Sequence, residues 1–464
     1  MKWPFIFFSV IIFCFLFFSS CKKDSFITSP NALAGGISVD SIKFDTVFTT
    51  VGSITKSFTI VNLNDQKILL SKVQLMGGNA SSFKININGI AASEADNIEI
   101  DANDSIHVFV SVNINPNATN LPFIVSDSIL INCNGQNNYV QLQAYGQNAH
   151  FINNQVITGN INWTDSLPYV ILGELRIDTL ATLTIEPGCK IYAHANAPVL
   201  VDGTLICDSA TFTGDRLDAA YSSLPGSWPG IYFRGASKDN VLTHANIKNA
   251  YQAIVADSSS PNANPKVVLH QCMIDNASEA GILCTNSSLD ADNSLITNCG
   301  SNINITAGGV YHFINCTVAA YGTNYIAHKN PVLQINNYML QGSLTVTDNL
   351  NALFQNCIFW GDNGSVTNEI AVDKRGSSAF NITLDHSLYK VMDDPANTDT
   401  IAVIKNQDPE FDNVDLKNMI FDFHISSPSA PGIGKGIMTS FQYDLDGLTR
   451  SINGLTDLGC YEKH

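Results

Sequence analysis

The sequence predicts an all-β protein in which a β-sandwich precedes a parallel β-helix. Three observations lead to this prediction. Apolar residues alternate with polar ones through many short segments, which is the periodicity of strands rather than of helices. Turn-forming residues, among them 31 glycines and 16 prolines, separate these segments. In the second half of the 464-residue chain, one six-residue pattern returns repeatedly.

The N-terminus carries the features of an export signal. Lys2 precedes an apolar run over residues 5–18, which is shorter than the roughly 20 residues that cross a bilayer as a helix. A run of small residues then leads into Cys21, and a polar stretch follows it. We therefore predict a signal peptide over residues 1–20 and a flexible tether over residues 21–36.

The stretch that ends in Cys21 resembles the lipobox of bacterial lipoproteins, with Phe18 where a leucine is usual. This resemblance implies cleavage before Cys21 and lipidation of its thiol. The charged segment Cys21-Lys22-Lys23-Asp24 resembles the surface-export signals of Bacteroidetes lipoproteins. The two resemblances imply an exported protein that a lipid holds in the outer membrane, with the cell surface as one location. An ordinary signal peptide followed by an incidental cysteine is the alternative.

Residues 37–148 read as short strands separated by turns. Residues 105–114 place an apolar side chain at every second position, and Asn-Gly pairs at positions 88 and 134 are hairpin signals. About seven such strands fit a β-sandwich. Residues 44–48, with those that follow, resemble immunoglobulin-like modules of the abnormal-spindle/hydin type. No catalytic set of residues occurs here, so we expect a spacer or a packing partner for the following domain.

A six-residue pattern organises the chain between residues 242 and 389. Its fourth position is small and its sixth is apolar in all six copies, and the steps between copies are 27, 22, 22, 41 and 30 residues. A period in the low twenties indicates a β-solenoid, since helical-hairpin repeats need about 34 residues. The long step predicts one further copy that begins at Leu333. The six copies begin at Leu242, Leu269, Ala291, Phe313, Phe354 and Leu384.

Three cysteines, Cys272, Cys316 and Cys357, occupy the small position of the repeat. Nine of the 11 cysteines follow Cys21, and their number is odd and their spacing unpaired. We interpret those in the repeat as small buried apolar residues rather than as disulfide partners or zinc ligands.

Two motifs introduce the repeat, Leu-Thr-Ile-Glu-Pro-Gly from Leu183 and Trp-Pro-Gly-Ile from Trp228. With the repeats that follow, they resemble the right-handed parallel β-helix of pectin-lyase-like proteins, and in particular Bacteroidetes lipoproteins of that fold. The resemblance implies a right-handed parallel β-helix over residues 151–425. It implies little about function, because this fold hosts unrelated chemistries.

Asparagines recur after the repeat at a constant spacing, at Asn249, Asn276 and Asn298. Asparagine tolerates left-handed backbone and hydrogen-bonds its own turn. We therefore predict a structural asparagine ladder at one corner of the middle coils, in preference to a catalytic role.

Residues 426–464 resemble the closing segment of many bacterial β-helix proteins and predict a C-terminal cap. Asp444 and Asp446 lie in an Asp-Leu-Asp-Gly motif. Paired carboxylates suit calcium, which makes these two residues calcium candidates. The alternative, which we favour, is turn capping and pairing with Arg450. No cofactor is otherwise required.

The densest candidate for catalysis is Asp373-Lys374-Arg375. Polysaccharide lyases on this fold need a basic residue as proton acceptor, and hydrolases need paired carboxylates. Adjacent strand residues point to opposite faces, so at most two of the three share a surface. A solvated loop is the alternative.

The charge balance excludes one class of partner. The 24 lysines and arginines against 41 aspartates and glutamates give a formal charge of −17, which argues against nucleic-acid binding. We expect a membrane contact through the lipid anchor, and a polysaccharide or an envelope protein as partner. A non-catalytic glycan- or partner-binding scaffold is the favoured function, and a polysaccharide lyase or glycoside hydrolase is the alternative.

Overall fold

The computed structural model describes residues 25–49, 51–116, 123–450 and 454–463. The predicted signal peptide and Cys21 lie outside these residues. The chain divides into two compact units, one up to Asn148 and one from Ala149 onward. The described residues are almost entirely β, which confirms the predicted fold class, and they include one 3-10 turn at Gly78–Ala80. None of their helices is long and apolar enough to cross a membrane.

The first unit is a β-sandwich of a five-stranded and a three-stranded sheet, as the alternating segments predicted. Alternate residues of each strand enter one shared core. In spatial order, the five-stranded sheet holds Ser41–Phe48, Gln136–Gln147, Phe123–Cys133, Ile68–Leu75 and Glu94–Ile100. The three-stranded sheet holds Lys56–Val61, Ser105–Val112 and Phe83–Ile87.

The described part of the predicted tether lies on the sandwich. Ala32 and Leu33 are buried in its core. Asn134 Nδ2 donates to the carbonyls of Ile27 and Ser29, both at 2.8 Å. Residues 27–36 are therefore part of the domain rather than a flexible tether, because burial of Ala32 and Leu33 offsets the cost of ordering them.

The second unit is a parallel β-helix with three faces. Each coil between Gln155 and Tyr389 contributes to all three faces, whereas the last coil contributes to two. Strands of neighbouring coils pair in parallel on all three faces. We number the faces 1 to 3 in the order in which the chain passes through them from Gln155 onward. Two long strands, Ala280–Asp292 and Ser301–Ile314, run through faces 1 and 2 and bend between them.

The remaining strands of face 1 are Gln155–Ile157, Leu175–Ile177, Val199–Val201, Ile231–Phe233, Gln252–Asp257, Leu333–Asn336 and Ile370–Asp373. Those of face 2 are Asn160–Trp163, Thr182–Ile185, Thr204–Asp208, Asn240–Thr243, Val267–His270, Leu350–Gln355, Phe380–Asp385 and Asp399–Ile401. Face 3 holds His150–Ile152, Tyr169–Ile171, Lys190–Ala193, Thr211–Gly214, Asn246–Lys248, Met273–Asp275, Leu295–Thr297, Thr317–Ala320, Ile358–Gly361, Leu388–Tyr389 and Ile404–Lys405.

The small residues at the fourth position of the repeat lie inside the β-helix, at the corner between faces 2 and 3. Cys272, Cys316 and Cys357 are buried there, as predicted. Cys357 Sγ donates to the carbonyl of Phe313 on the preceding coil at 3.3 Å, and Ser387 Oγ makes the equivalent bond to Phe354. Thiol and hydroxyl are therefore interchangeable at this corner, because each is small and donates to the coil below.

The predicted extra copy of the repeat at Leu333 is wrong. Leu333 lies on face 1, where its strand pairs with those of Ile303 and Ile370, whereas the repeat marks faces 2 and 3. The 41-residue step is one coil. It is enlarged by the loop 321–332 and by the hairpin of Tyr338–Gln341 and Leu344–Thr347. The error arose because alternating apolar residues look alike on all three faces.

The C-terminal cap packs along the outer side of face 3. Outward-pointing Leu295, Ile358 and Trp360 form a second apolar cluster with Phe423 and Leu458 of the cap. The cap therefore shields the outer surface of several coils. Its strands form two hairpins, Phe411–Asp415 with Ile420–Ile425 and Gly436–Ile437 with Leu455–Thr456. The parallel coils therefore end at Lys405 and the antiparallel cap begins at Phe411, earlier than the predicted boundary between residues 425 and 426.

Candidate functional site

A polar groove lies at the outer corner between faces 1 and 2, midway along the β-helix, and we call it the corner groove. Its volume is about 600 Å³, which is within the range of small-molecule sites. It spans several coils between the loop 258–265 and the foot of the hairpin at Asp348. Its lining residues are Ser259, Ser260, Asn262, Ala263, Asn264, Pro265, Asn286, Ser287, Ser288, Asp290, Gly309, Val310, His312, Asp348 and Asn349.

Gly309 lines the floor of the corner groove, and Gly308 and the fully buried Tyr311 support the backbone beside it. Gly308 and Gly309 have φ values of 91° and 116°, where glycine is strongly favoured. A Cβ atom on Gly309 would collide with the carbonyl of Ser287 and with Tyr311 Oη. Tyr311 Oη donates to the carbonyl of Gly308 and accepts from the N–H of Ser287, both at 3.0 Å. The bend between faces 1 and 2 is thus fixed by a fully buried side chain.

Side-chain hydrogen bonds hold both walls of the corner groove. Asn262 and Asn264 on the loop 258–265 donate to Asp239 at 2.7–3.0 Å. These bonds lower the pKa of Asp239, the bond from Asn264 most strongly. On the opposite wall, Asn286 Nδ2 donates to Asp348 Oδ2 at 2.9 Å. Carboxylates therefore act as fixed acceptors on both sides.

A His–Asp pair projects into the corner groove from neighbouring coils of face 2. His312 Nδ1 lies 2.7 Å from Asp290 Oδ1, and their strands are in register. The hydrogen bond to Asp290 raises the pKa of His312, against the opposing effect of partial burial. Asp292 lies two residues along the same strand and bonds His270 of the preceding coil. The hydrogen bond to Asp292 likewise raises the pKa of His270.

The stability contribution of the His312–Asp290 pair is expected to depend on pH. Because the folded-state pKa of His312 is raised, the contribution is fully present below the unfolded value of about 6.5 and is lost as pH rises through the folded value. His312→Gln should therefore lower the urea-unfolding midpoint more at about pH 5 than at about pH 9. An equal loss at both values would show that protonation of His312 adds nothing to stability. Exposure of the pair keeps the effect small.

The lining residues include no lysine or arginine. The nearest lysine in sequence, Lys266, is buried and donates to the carbonyls of Arg234 and Gly235 at 2.9 and 3.1 Å. Burial lowers the pKa of Lys266 to about 8. The corner groove thus offers acceptors, amides and hydroxyls but no fixed cation other than a protonated His312.

The predicted catalytic triplet lies elsewhere, at the end of a face 1 strand. Asp373 accepts a hydrogen bond from Tyr338 Oη at 2.6 Å, and the Arg375 guanidinium stacks on the Tyr338 ring at 4.0 Å. Arg375 and Asp373 are 3.6 Å apart and about half exposed. Lys374 instead lies over the ring of Phe380. The three residues do not converge on one reacting position, and the contacts of Asp373 and Arg375 support the base of the hairpin.

The calcium candidates have protein partners. Asp444 Oδ1 accepts from the N–H groups of Asp446 and Leu448, and its Oδ2 accepts from the N–H of Glu462. Asp446 Oδ2 instead pairs with His424 Nε2 at 2.8 Å. Throughout the described ranges, no group of three or more His, Cys, Asp or Glu side chains could hold a metal ion. Asp444 thus caps a turn and Asp446 pairs with a histidine. The predicted pairing of these aspartates with Arg450 is wrong, because Arg450 pairs with Glu462 instead.

Asn249, Asn276 and Asn298 all lie in left-handed turns after face 3, with φ values of 62°, 58° and 49°. Asn276 Nδ2 donates to Asn249 Oδ1 at 2.8 Å, whereas Asn298 accepts from the backbone N–H of Tyr321. The structure adds a second left-handed column at the corner between faces 2 and 3, which sequence reasoning missed. Its members are Ser209, His244, Gln271, Asn293, Asn315, Asn356, His386 and Ala402.

The signal for the corner groove was present in the sequence. Asp290 and His312 each stand one residue before a copy of the repeat, at Ala291 and Phe313. Extending the aligned copies by one position would have placed them on neighbouring coils. The floor and the loop 258–265 gave no such signal, because they depend on how the long strands bend.

Comparisons with known proteins identify no family for this chain. No family model matches it, and neither does any curated protein. Among solved structures, it has some similarity to a family 123 glycoside hydrolase from Clostridium perfringens, described in connection with glycolipid glycan hydrolysis. That similarity has 10% identity and a TM-score of 0.18, and it covers 25% of each chain. The chain therefore spans about a quarter of the hydrolase, and this likeness carries no argument about function.

Proposed function

We propose that this protein is an exported, lipid-anchored envelope protein whose β-helix binds a glycan in the corner groove without modifying it. The anchor rests on the lipobox-like stretch before Cys21. The outer-membrane location follows from the same resemblance. No cofactor enters this function, and the partner at the site is a polysaccharide.

One observation supports the glycan most strongly: the lining of the corner groove. Most of its lining residues carry amide, hydroxyl or carboxylate groups, and apolar atoms of these residues and of Val310, Ala263 and Pro265 supply a comparable share of its surface. Sugars carry many hydroxyls that both donate and accept, so they match such a lining, whereas apolar ligands would leave its polar groups unpaired. The walls are already fixed by Asp239 and Asp348, which reduces the ordering cost of binding.

A second candidate is a glycoside hydrolase, which the His312–Asp290 pair and Asp348 favour. Hydrolysis of a glycosidic bond uses two carboxyl groups on opposite sides of the bond. Asp290 and Asp348 both line the corner groove, and the protonated ring of His312 could donate to a leaving oxygen. A lyase is less well supported, because the lining has no lysine or arginine to accept the proton or to neutralise a uronate.

An oligosaccharide array followed by calorimetric titration tests the binding proposal. Asn286→Ala removes one wall amide and releases Asp348, so we expect the affinity for a bound oligosaccharide to fall about tenfold or more. Asp399→Asn is the matched control, because Asp399 is exposed on the same outward column of face 2 as Asp290 but lies three coils beyond His312. Unchanged affinity in Asn286→Ala would overturn the site.

Incubation with the bound oligosaccharide separates the two candidates. Release of shorter sugars by the wild-type protein, abolished in Asp290→Asn, would establish the hydrolase. Stable binding with no new reducing ends over a prolonged incubation supports the binding protein.

A further inference from the structure

We propose that the hairpin beside the corner groove holds the aliphatic chain of a glycolipid whose sugar occupies the groove. The inference rests on the proposed glycan-binding function and adds the class of glycan to it. Such a ligand is amphiphilic, so its polar end matches the corner groove and its apolar end matches the hairpin.

The hairpin of Tyr338–Gln341 and Leu344–Thr347 rises from the same corner of the β-helix as the corner groove. It connects a strand of face 1 with a strand of face 2, and the groove lies between these two faces. Asp348 directly follows the hairpin, lines the corner groove and accepts a hydrogen bond from Asn286. The hairpin therefore extends the groove wall that lies opposite the loop 258–265.

Two side chains at the base of the hairpin show which way it faces. Tyr338 and Thr347 are paired across the hairpin, so they point to the same side of it. Tyr338 Oη donates to Asp373 Oδ2 at 2.6 Å, and Thr347 Oγ1 lies 2.8 Å from Ser378 Oγ. Asp373 and Ser378 belong to the next coil. This side of the hairpin is therefore turned away from the corner groove, which the preceding coils form.

The opposite side of the hairpin faces the corner groove, and it is apolar. Successive residues of a strand point to opposite faces, which places Met339, Leu344 and Val346 on this side. All three are exposed, and residues 338–347 include no charged side chain. Val310 of the preceding coil, which lines the corner groove, is exposed as well. An aliphatic chain that leaves the groove along this side is thus removed from water by apolar contact.

The size and charge of this surface favour a lipid chain over a second copy of the protein. Its two four-residue strands span roughly 13 Å by 10 Å. A stable protein interface covers about 800 Å² of each partner, which is several times that area. The adjoining corner groove contains Asp290 and Asp348, and the chain has a formal charge of −17, so two copies repel each other here. A single alkyl chain needs only a narrow apolar strip.

Matched glycosides test the inference. The methyl and octyl β-glycosides of cellobiose differ only in the aliphatic chain, and those of lactose form a second pair. The octyl compounds are used below the concentration at which they form micelles. In calorimetric titration, we expect the octyl glycoside to bind the wild-type protein about tenfold or more tightly than the methyl glycoside, because burial of the added methylene groups supplements the sugar contacts.

Leu344→Ser and Met339→Ser remove apolar surface from the groove-facing side of the hairpin. Each should reduce the gain in affinity from the octyl chain severalfold and leave binding of the methyl glycoside unchanged. Leu340→Ser is the matched control, because Leu340 is 62% exposed against 61% for Leu344 but lies on the opposite side of the same hairpin. It should keep the full gain. Equal losses of the gain in Leu340→Ser and Leu344→Ser would overturn the assignment of the groove-facing side.

Further outcomes separate the inference from the proposed function. Asn286→Ala should weaken both glycosides of a pair equally, because it acts on the sugar. Equal binding of the methyl and octyl glycosides by the wild-type protein would overturn the glycolipid while glycan binding stands, and binding of neither pair would overturn both. Dimerisation of the wild-type protein without glycoside, lost in Leu344→Ser by sedimentation velocity, would assign this side of the hairpin to a second copy instead.

Discussion

Replacing Arg450 by methionine is expected to lower the free energy of unfolding by about 3–5 kcal/mol. The Arg450 side chain is 4% exposed and lies 3.2 Å from the equally buried Glu462 carboxylate. Its Nε donates to Asn293 Oδ1 of the β-helix at 2.8 Å, and Nη2 donates to the carbonyl of Gly459 at 2.8 Å. Methionine fills similar space but removes the guanidinium beside the buried Glu462 carboxylate, and breaking a buried pair from one side is the costly case.

Urea unfolding followed by tryptophan fluorescence measures this effect, since Trp163, Trp228 and Trp360 all lie in the β-helix unit. Arg375→Met is the matched control, because its ion pair with Asp373 is about half exposed and should contribute no more than about 1 kcal/mol. Adding Glu462→Gln to Arg450→Met should restore part of the loss. Similar losses for Arg450→Met and Arg375→Met would contradict the role of Arg450 in fixing the cap.

Gly309→Ala is expected to destabilise the β-helix by about 3 kcal/mol or more and to abolish ligand binding in the corner groove. Two effects add at this position. The φ of 116° is strained for any residue with a Cβ atom, and the added methyl group collides with Ser287 and Tyr311. Relief of that collision requires Tyr311 to move, which breaks the hydrogen bonds that fix the floor.

Gly342→Ala separates strain from collision. Gly342 lies in the hairpin turn with a φ of 62°, and a Cβ atom there meets open space. Only the backbone strain remains, so we expect a loss of about 1–2 kcal/mol and unchanged ligand binding. Thermal and urea unfolding of both variants, with calorimetric titration of the ligand, provide the comparison. Gly309→Ala behaving like Gly342→Ala would mean that the floor is not sterically fixed.

The fold could be predicted from the sequence because each coil requires the same kinds of side chain at the same positions. The inner corner between faces 2 and 3 admits only small side chains, so Cys272, Ser294 and Cys316 mark it at equal spacing. Alternating apolar residues then identify strands. This alternation is the same on all three faces. The sequence pattern therefore predicts a copy of the repeat at Leu333, although Leu333 lies on face 1.

The corner groove was less accessible because its parts come from distant segments. His312 and Asp290 lie on neighbouring coils. Asp348 follows the hairpin in sequence and accepts a hydrogen bond from Asn286, and Asp239 accepts one from Asn264 of the loop 258–265. Charge density in the sequence favoured Asp373-Lys374-Arg375 instead. In the structure, Asp373 and Arg375 form contacts with Tyr338 of the hairpin. The local density of charged residues therefore identified a cluster that supports the hairpin. The corner groove depends instead on contacts between residues of different coils.

Backbone hydrogen exchange with and without the tightest-binding oligosaccharide tests the location of the site most directly. If the corner groove holds the ligand, exchange slows in peptides that cover residues 258–265, 286–290 and 348–349. Peptides over residues 370–376, which contain the Asp373 cluster, keep their rates. Slower exchange confined to residues 370–376, with the groove peptides unchanged, would contradict the assignment of the corner groove as the binding site.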